Sequence, residues 1–136
     1  MKDLIIILDK IRLTAKDLHY HASGSTFYAQ HLLADRIQEP IIGFIDDLKE
    51  ICYLGAEKEV PTAKELSPEL QDTLTEESLI STLYSQLTLG LYTIEELSKN
   101  SLMQAETSLL GRIAEHLQQS RGLIWRVTVK EGAKSE

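Results

Sequence analysis

The chain has 136 residues, which is enough for one domain, and its net charge of −7 excludes a global basic field that would hold nucleic acid or an anionic membrane. Its residues are 43% hydrophobic but only 6% aromatic, which favours helices packed on helices over a sandwich of short strands. We therefore expect a single all-α domain over residues 1–136, with a flexible tail from about Lys130 and with cations as the more natural partners.

The cysteine content and the first residues of the chain indicate the cellular compartment in which we expect the protein. A single cysteine, Cys52, excludes an internal disulfide and a cysteine-rich metal site, and is typical of a reducing cytoplasm. The apolar run at residues 4–8 is followed by Asp9 and Lys10. This run is shorter than the core of a secretory signal and far shorter than the roughly 20 residues of a membrane span. We expect a cytoplasmic protein without a membrane segment.

The first half of the chain predicts two helices. The first covers residues 2–20 and carries one apolar stripe, spaced by four and three residues: Leu4, Leu8, Ile11, Ala15 and Leu18. The second covers residues 26–54, with Ser25 as its N-cap and Gly55 as its stop signal. Pro40 leaves two interpretations, one kinked helix or two shorter helices. We favour the kinked helix because the apolar stripe keeps its phase across the proline.

The second half predicts two more helices after a long connection. Residues 56–75 contain two prolines, and Ser67-Pro68-Glu69 could open a short helix there. A connection of this length lets the chain cross from one end of a bundle to the other. Helices are then expected over residues 76–97 and 102–129. The predicted fold is an all-α four-helix bundle with a long crossover between the second and third helices.

One face of the second helix mixes polar and apolar side chains. On a helical wheel of about 100° per residue, four potential metal ligands lie opposite the inward stripe: His31, Asp35, Asp46 and Glu50. Large apolar residues share this outward face: Tyr28, Leu32, Ile42 and Tyr53. Such a mixture indicates a subunit interface rather than a solvated surface.

The spacing of the four ligands predicts a metal site shared by two copies of the chain. His31 and Asp35 are four residues apart, as are Asp46 and Glu50, so each pair can reach one cation. The pairs lie about 22 Å apart along a helix, too far to meet within one chain. Two antiparallel copies, related by a two-fold axis between residues 40 and 41, would bring each pair against the opposite pair of the other copy. His19 could add a second imidazole, and such a ligand set suits Fe(II), Mn(II) or Zn(II).

Five residues follow the pattern H-x11-H-x3-D-x10-D-x3-E: His19, His31, Asp35, Asp46 and Glu50. This pattern resembles the ferroxidase signature of the Dps family, the mini-ferritins or DNA-binding proteins from starved cells. The segment His19-Tyr20-His21-Ala22-Ser23-Gly24 stands where the family has a His-Trp-Asn-x-x-Gly turn, and Leu54-Gly55 resembles the family's helix end. The resemblance is strong over residues 18–55 and only architectural over the last two helices.

The resemblance implies a ferroxidase, an oxidoreductase that oxidises Fe(II) with hydrogen peroxide or oxygen, stores the ferric mineral and limits oxidative stress. It implies that the four-helix bundle is ferritin-like, that the five residues are catalytic and bind iron, and that two-fold dimers assemble into a hollow dodecamer. Three residues depart from the family's pattern. Tyr20 replaces a tryptophan, His21 replaces an asparagine, and Pro40 falls at the proposed two-fold axis.

The remaining candidates have simpler interpretations. We expect His21 and His116 at the surface, Cys52 as a small packing residue and Trp125 in the core or an interface. Three glutamates of the last two helices are expected on a solvated face rather than around an acidic pore: Glu95, Glu96 and Glu106.

Two other functions stay open. The first is a non-catalytic ferritin-like assembly, in which the same face forms a dimer with a structural metal or none. The second is a nucleoid-associated protein. The net charge of −7 and the lack of a lysine-rich arm before the first helix argue against it, so we expect no strong DNA binding.

Overall fold

The structure is a computed structural model that describes residues 1–70 and 75–127. All regular structure within these residues is helical, and four helices carry most of it: α1, Lys2–His21; α2, Phe27–Lys49; α3, Glu76–Leu97; and α4, Gln104–Val127. The predicted all-α architecture with four helices is confirmed, whereas the tail expected from Lys130 lies outside the described residues. Across the described ranges, no helix combines the length and the apolar character that a membrane crossing requires.

The helices form a bundle in which each one packs against two others. α1 and α4 both contact α2 and α3, so α1 and α4 lie on one diagonal of the bundle. The shared core is mainly aliphatic and includes the whole predicted stripe of α1, which is fully buried: Leu4, Leu8, Ile11, Ala15 and Leu18. Burying one leucine or isoleucine side chain contributes about 1.5–3 kcal/mol, so this stripe is a main source of the bundle's stability.

Gly90 of α3 lies where three helices approach one another closely. A Cβ atom at this position would meet Leu117 Cδ1 of α4 at 2.9 Å and Ile7 Cγ2 of α1 at 3.5 Å. A glycine in a helix interior costs about 1 kcal/mol relative to alanine. The close packing of α3 on its two neighbours accounts for a glycine here.

The connection between α2 and α3 carries the chain back along the bundle. Lys2 Nζ, at the beginning of α1, lies 3.5 Å from Glu65 Oε2 of the connection. Beyond the other end of α1, the backbone N–H of Ser23 donates to Glu76 Oε2 in the first turn of α3, at 3.2 Å. Hence α3 begins where α1 ends, and α2 and α3 run in the same direction. The predicted crossover is therefore present. Its residues 67–70 form no helix, and 71–74 lie outside the described residues.

α2 continues as one helix across Pro40, as favoured from the sequence. A proline has no N–H for the carbonyl one turn back, and its ring crowds that carbonyl. Close to Pro40 in the sequence, the carbonyl oxygen of Ile37 accepts a hydrogen bond from Nε2 of His116, at 2.8 Å. His116 also packs its ring against that of Phe44, with 5.6 Å between the centroids. The expectation that His116 is a surface residue is therefore wrong, because its side chain links α4 to the middle of α2 by a hydrogen bond and a ring contact.

The end of α2 differs from a regular helix stop. After Lys49 the chain forms a wider π-helical turn, Glu50–Leu54, and the N–H of Gly55 donates to the carbonyl of Glu50 at 2.7 Å. A Cβ atom on Gly55 would lie 2.9 Å from the carbonyl oxygen of Ile51, so this tight contact requires glycine. The residue with a left-handed backbone conformation is Glu57, two positions after Gly55, with φ 57°. The helix stops near the expected residue, but glycine acts there through close approach and not through a left-handed conformation.

Candidate metal centre

The candidate metal centre lies where α1 ends and α2 begins. His19 is in the last turn of α1, and His31 is in the second turn of α2. Between them a short 3-10 turn reverses the chain, and Gly24 takes the φ of 78° that this reversal needs. Ser25 lies inside this turn, so the N-cap position of α2 falls to Thr26 and the expected Ser25 cap is wrong. The reversal places the two histidines face to face.

The two imidazole rings stack, and each one is hydrogen-bonded to the backbone of the other residue. Their centroids are 3.6 Å apart and their planes differ by 22°. His31 Nδ1 lies 2.8 Å from the carbonyl oxygen of His19, and His19 Nδ1 lies 3.2 Å from the carbonyl oxygen of His31. A carbonyl oxygen can only accept a hydrogen bond, so each Nδ1 carries the proton and donates it. In a neutral imidazole, Nε2 then keeps the lone pair that a metal ion requires.

Asp35 completes a group of three potential ligands. Its Oδ1 lies 3.0 Å from Nδ1 of His19, and the side chains of His19 and Asp35 are 16% and 32% exposed. Gln38 Nε2 donates to the same oxygen at 3.3 Å. One ligand atom from each of His19, His31 and Asp35 lies within 4.8 Å of the other two. The structure thus brings together three of the five predicted site residues, while their role as metal ligands stays a prediction.

The chemistry of this group suits a divalent transition metal. Two imidazoles and one carboxylate, with further positions open, form a ligand set typical of Fe(II) sites. The carboxylate of Asp35 lies 3.0 Å from Nδ1 of His19, whose N–H is directed at the carbonyl oxygen of His31. Oδ1 of Asp35 thus faces His19 and Gln38, and the other carboxylate oxygen can be offered to a cation.

Asp46 and Glu50 do not join this group within a single chain. Asp46, on the outward side of α2, and Glu50, at the start of the π-helical turn, are both exposed and lie about 22 Å along the chain axis from His31 and Asp35. His21 is exposed as well and lies outside the group. In the described part of the chain, the cluster at His19 is the one place where three such ligands gather. The completion of the site by a second copy of the chain therefore stays a prediction.

Large apolar side chains are exposed on the outward face of α2, before and after the candidate metal centre in the sequence. Tyr28 is 67% exposed, Leu32 48% and Ile42 54%, which agrees with the helical wheel. Tyr53, expected on the same face, is instead half-buried, and burial raises its pKa. Tyr20, also exposed, packs edge-on against His19 with 4.9 Å between the ring centroids. Exposed apolar groups in this concentration are typical of a surface that contacts another protein.

A buried thiol and a buried carboxylate meet at the opposite end of the bundle. Cys52 is 2% exposed and Glu106 is 7% exposed. Burial first, and then the charge of Glu106 and a hydrogen bond to it, raise the pKa of Cys52 to about 11. Glu106 Oε1 also accepts the backbone N–H of Met103 at 3.0 Å, which caps the beginning of α4. Cys52 is buried, as expected of a packing residue, but the expectation of a solvated Glu106 is wrong. The sequence signal for this capping role was the position of Glu106, three residues after the N-cap of α4.

Comparisons with protein-family models, with curated proteins and with solved structures found no match to this chain. The sequence pattern and the geometry of the candidate metal centre are therefore the grounds for assigning a function.

Proposed function

We propose that this protein is a cytoplasmic ferroxidase and iron-storage protein that oxidises Fe(II) with hydrogen peroxide or oxygen. The observation that carries the proposal is that ligand atoms of His19, His31 and Asp35 lie within 4.8 Å of one another, while both imidazole Nδ1 atoms face backbone carbonyls. Asp46 and Glu50 complete the sequence pattern. In this proposal they supply, from a second copy, the carboxylates that one chain lacks.

The proposed chemistry follows from these ligands. Imidazole nitrogens bind the substrate Fe(II), and carboxylate oxygens favour Fe(III) as positive charge builds up. Two Fe(II) ions each give one electron to a molecule of hydrogen peroxide, whose O–O bond breaks. Two protons complete two water molecules, and two Fe(III) ions remain for storage. Because both electrons reach the same peroxide, the reaction limits the release of hydroxyl radicals.

The course of the chain supports a ferritin-like fold. α2 and α3 run in the same direction and are joined by a segment that returns along the bundle, from Glu65 near the beginning of α1 to Glu76 beyond its end. A single long crossover of this kind is the connection used in ferritin-like bundles. We extend the proposal to a hollow shell built from two-fold dimers, with twelve subunits as the expected size and the ferric mineral inside.

The second copy is proposed to pack on the outward face of α2. Gly43 is exposed on this face, and because it carries no side chain, two α2 helices can approach closely there. Antiparallel pairing would set Asp35 against the partner's Asp46. Two carboxylates at close range repel each other, and an Fe(II) ion between them replaces that repulsion by attraction.

The first test is the rate of Fe(II) oxidation by hydrogen peroxide, followed through the absorbance of the ferric product. A variant that carries both His31→Ala and Asp35→Ala should be slower by at least about tenfold, because two ligands are lost. The control is His116→Gln, which removes a histidine elsewhere while an amide can still donate to Ile37. An unchanged rate in the double variant rejects the site.

A complementation experiment tests whether the site is shared between chains. One chain carries His31→Ala and Asp35→Ala, the other Asp46→Ala and Glu50→Ala, and the two are co-produced in equal amounts. If two copies share each site, half of the dimers are mixed and each mixed dimer has one intact site, so about a quarter of the activity returns. If each chain built its own site, no activity would return.

The alternative is a non-catalytic ferritin-like assembly. It is favoured by the exposed apolar residues beside the centre, Tyr28, Leu32 and Ile42, because such a face can form a dimer without a metal. A small, metal-free oligomer without oxidase activity would select this alternative. A nucleoid-associated role would require tight, salt-sensitive binding in a mobility-shift assay, which we do not expect at a net charge of −7.

A further inference from the structure

Four carboxylates along the outward side of α2 form a strip that the chain itself does not neutralise. This acidic strip, as we call it below, consists of Asp35, Glu39, Asp46 and Glu50, all of them exposed or half-buried. Asp35 contacts His19 in the candidate metal centre. Within residues 1–70 and 75–127, the other three carboxylates form no ion pair, so water and dissolved ions balance their charge.

The basic residues of α2 that are closest to the acidic strip lie at its flanks. Arg36 lines a groove between α2 and α4, and Lys49 lines a groove beside α1. The strip runs between these two grooves on the helical wheel. When a second copy packs antiparallel on this face, the strip of one chain meets the strip of the other, and like charges at close range oppose the contact.

Exposed apolar side chains on the same face favour contact with a second copy. Tyr28, Leu32 and Ile42 are 67%, 48% and 54% exposed. Their burial in a dimer would remove apolar surface from water, which is favourable. The face therefore makes two opposing contributions to dimerisation, and the balance between them depends on the charge of the strip.

A divalent metal ion changes the charge at one end of the strip. His19, His31 and Asp35 offer it ligand atoms within 4.8 Å of one another, so one chain can bind the ion before a second copy arrives. Neutral imidazoles leave the two positive charges of the ion in place and Asp35 balances one, so this end becomes positive. The end with Asp46 and Glu50 stays negative. In an antiparallel pair, each positive end then faces a negative end of the other copy.

We propose that a divalent transition metal ion controls dimerisation: each chain first binds the ion alone, and only the loaded face associates tightly with a second copy. This inference rests on the proposed function, because it uses the same metal centre and the same antiparallel pairing. The effect is reciprocal, so the ion tightens the dimer by the same factor by which dimerisation tightens binding of the ion. Two carboxylates added at each site should contribute at least about tenfold, and a dimer with two sites at least about a hundredfold.

The test measures the mass of the full-length protein by sedimentation velocity over a range of protein concentrations, with EDTA or with one equivalent of Zn(II) per chain. Zn(II) is used because it accepts the same nitrogen and oxygen ligands and has no redox chemistry. We expect the dissociation constant of the dimer to fall by at least about a hundredfold when Zn(II) replaces EDTA. In EDTA, added salt should strengthen association, because salt screens the repulsion between like charges.

A variant that carries Asp46→Asn and Glu50→Gln tests the role of the carboxylates. It lacks two charges that repel and also two ligands that complete the site. It should therefore associate more tightly than the wild type in EDTA, and Zn(II) should change its dissociation constant by less than about tenfold. The control carries Glu95→Gln and Glu115→Gln, at exposed positions of α3 and α4, and should respond to Zn(II) like the wild type.

Four results would each overturn the inference. The wild type could associate equally with and without Zn(II), or stay monomeric in both conditions. Salt could weaken its association in EDTA, or the variant with Asp46→Asn and Glu50→Gln could keep the full response to Zn(II).

Failure of this inference is distinguishable from failure of the proposed function. A wild type that dimerises equally in EDTA but oxidises Fe(II) through His31 and Asp35 retains the proposed function without metal-controlled dimerisation. A wild type that dimerises only with Zn(II) but leaves Fe(II) unoxidised shows metal-controlled dimerisation without ferroxidase activity, and the metal then has a structural role.

Discussion

Replacing Cys52 by serine tests the buried thiol–carboxylate pair at the end of the bundle opposite the candidate metal centre. Burial and, after it, Glu106 raise the pKa of Cys52 from 9.0 to about 11. The unfolded chain therefore releases this proton at lower pH than the folded chain does. Below about pH 9 the stabilisation is fully present, and it is lost as the pH rises through about 11. The difference between the two pKa values corresponds to on the order of 2–3 kcal/mol of unfolding free energy.

Serine is a suitable replacement because its hydroxyl can donate to Glu106 but does not titrate in this range. The assay is urea unfolding, followed by circular dichroism, of the wild-type protein and of Cys52→Ser at pH values from about 7 to 11. Lysines and the other tyrosines titrate in both proteins, so their contribution cancels in the difference, whereas the pKa of Tyr53, raised first by burial and then by the charge of Cys52, is raised less in the variant. We expect the wild type to lose on the order of 2–3 kcal/mol relative to the variant across the alkaline part of this range. Glu106→Gln removes the charge that helps to raise the pKa, so its alkaline loss should be smaller. A difference between wild type and Cys52→Ser that stays constant over the whole range would refute this reasoning.

Three further predictions concern packing, the Pro40 region and metal binding. Gly90→Ala should be less stable than Gly122→Ala by about 1–3 kcal/mol in urea unfolding, because its Cβ would meet buried Leu117 at 2.9 Å whereas Gly122 faces open space. Equal stabilities would contradict the close packing at Gly90. His116→Phe should lower the unfolding free energy by about 1–2 kcal/mol, since its hydrogen bond to the Ile37 carbonyl is lost, while His116→Gln should lose less. The same loss in both variants would mean that the hydrogen bond contributes nothing. Anaerobic Fe(II) at a hundred times its dissociation constant should stabilise the protein by about 2.7 kcal/mol, measured as a higher melting temperature that a chelator reverses. No change in melting temperature would speak against Fe(II) binding.

Helices with regular apolar spacing were predictable from the sequence. α3 begins at Glu76 and ends at Leu97, as expected. Two local features define it: leucines recur on one face, and Thr75 caps the first turn by accepting the N–H of Ser78 at 3.1 Å. Local features of this kind act within one element and can be recognised without knowing what packs against it.

Residues whose surroundings depend on another helix were harder to predict. His116 bonds to the backbone beside Pro40, and its position depends on how α4 is rotated against α2. Glu106 is buried because Cys52 and the N–H of Met103 supply donors, and neither partner follows from periodicity alone. Trp125 is 39% exposed in the single chain, so its expected place in the core is wrong and a place in an interface stays a prediction.

The part of the candidate metal centre that depends on local geometry was predictable from the sequence. The spacing of His31 and Asp35 on one helix, and the short link back to His19, made their proximity a matter of local geometry. The reciprocal bonds of the two imidazoles to backbone carbonyls were not predictable, because they depend on the packing of α1 against α2. Asp46 and Glu50 are exposed in the single chain, and a second copy is needed to test their role.

The reciprocal hydrogen bonds between His19 and His31 also affect which metal ions the proposed site would favour. Both rings have lost their torsional freedom by the time the bundle has folded, since each is tied to the main chain of the opposite helix. In the proposed site an arriving ion would meet two preorganised imidazoles, and little further ordering entropy would oppose its binding. An ion whose preferred bond lengths do not match that spacing would have to move two packed helices, and not merely rotate two side chains.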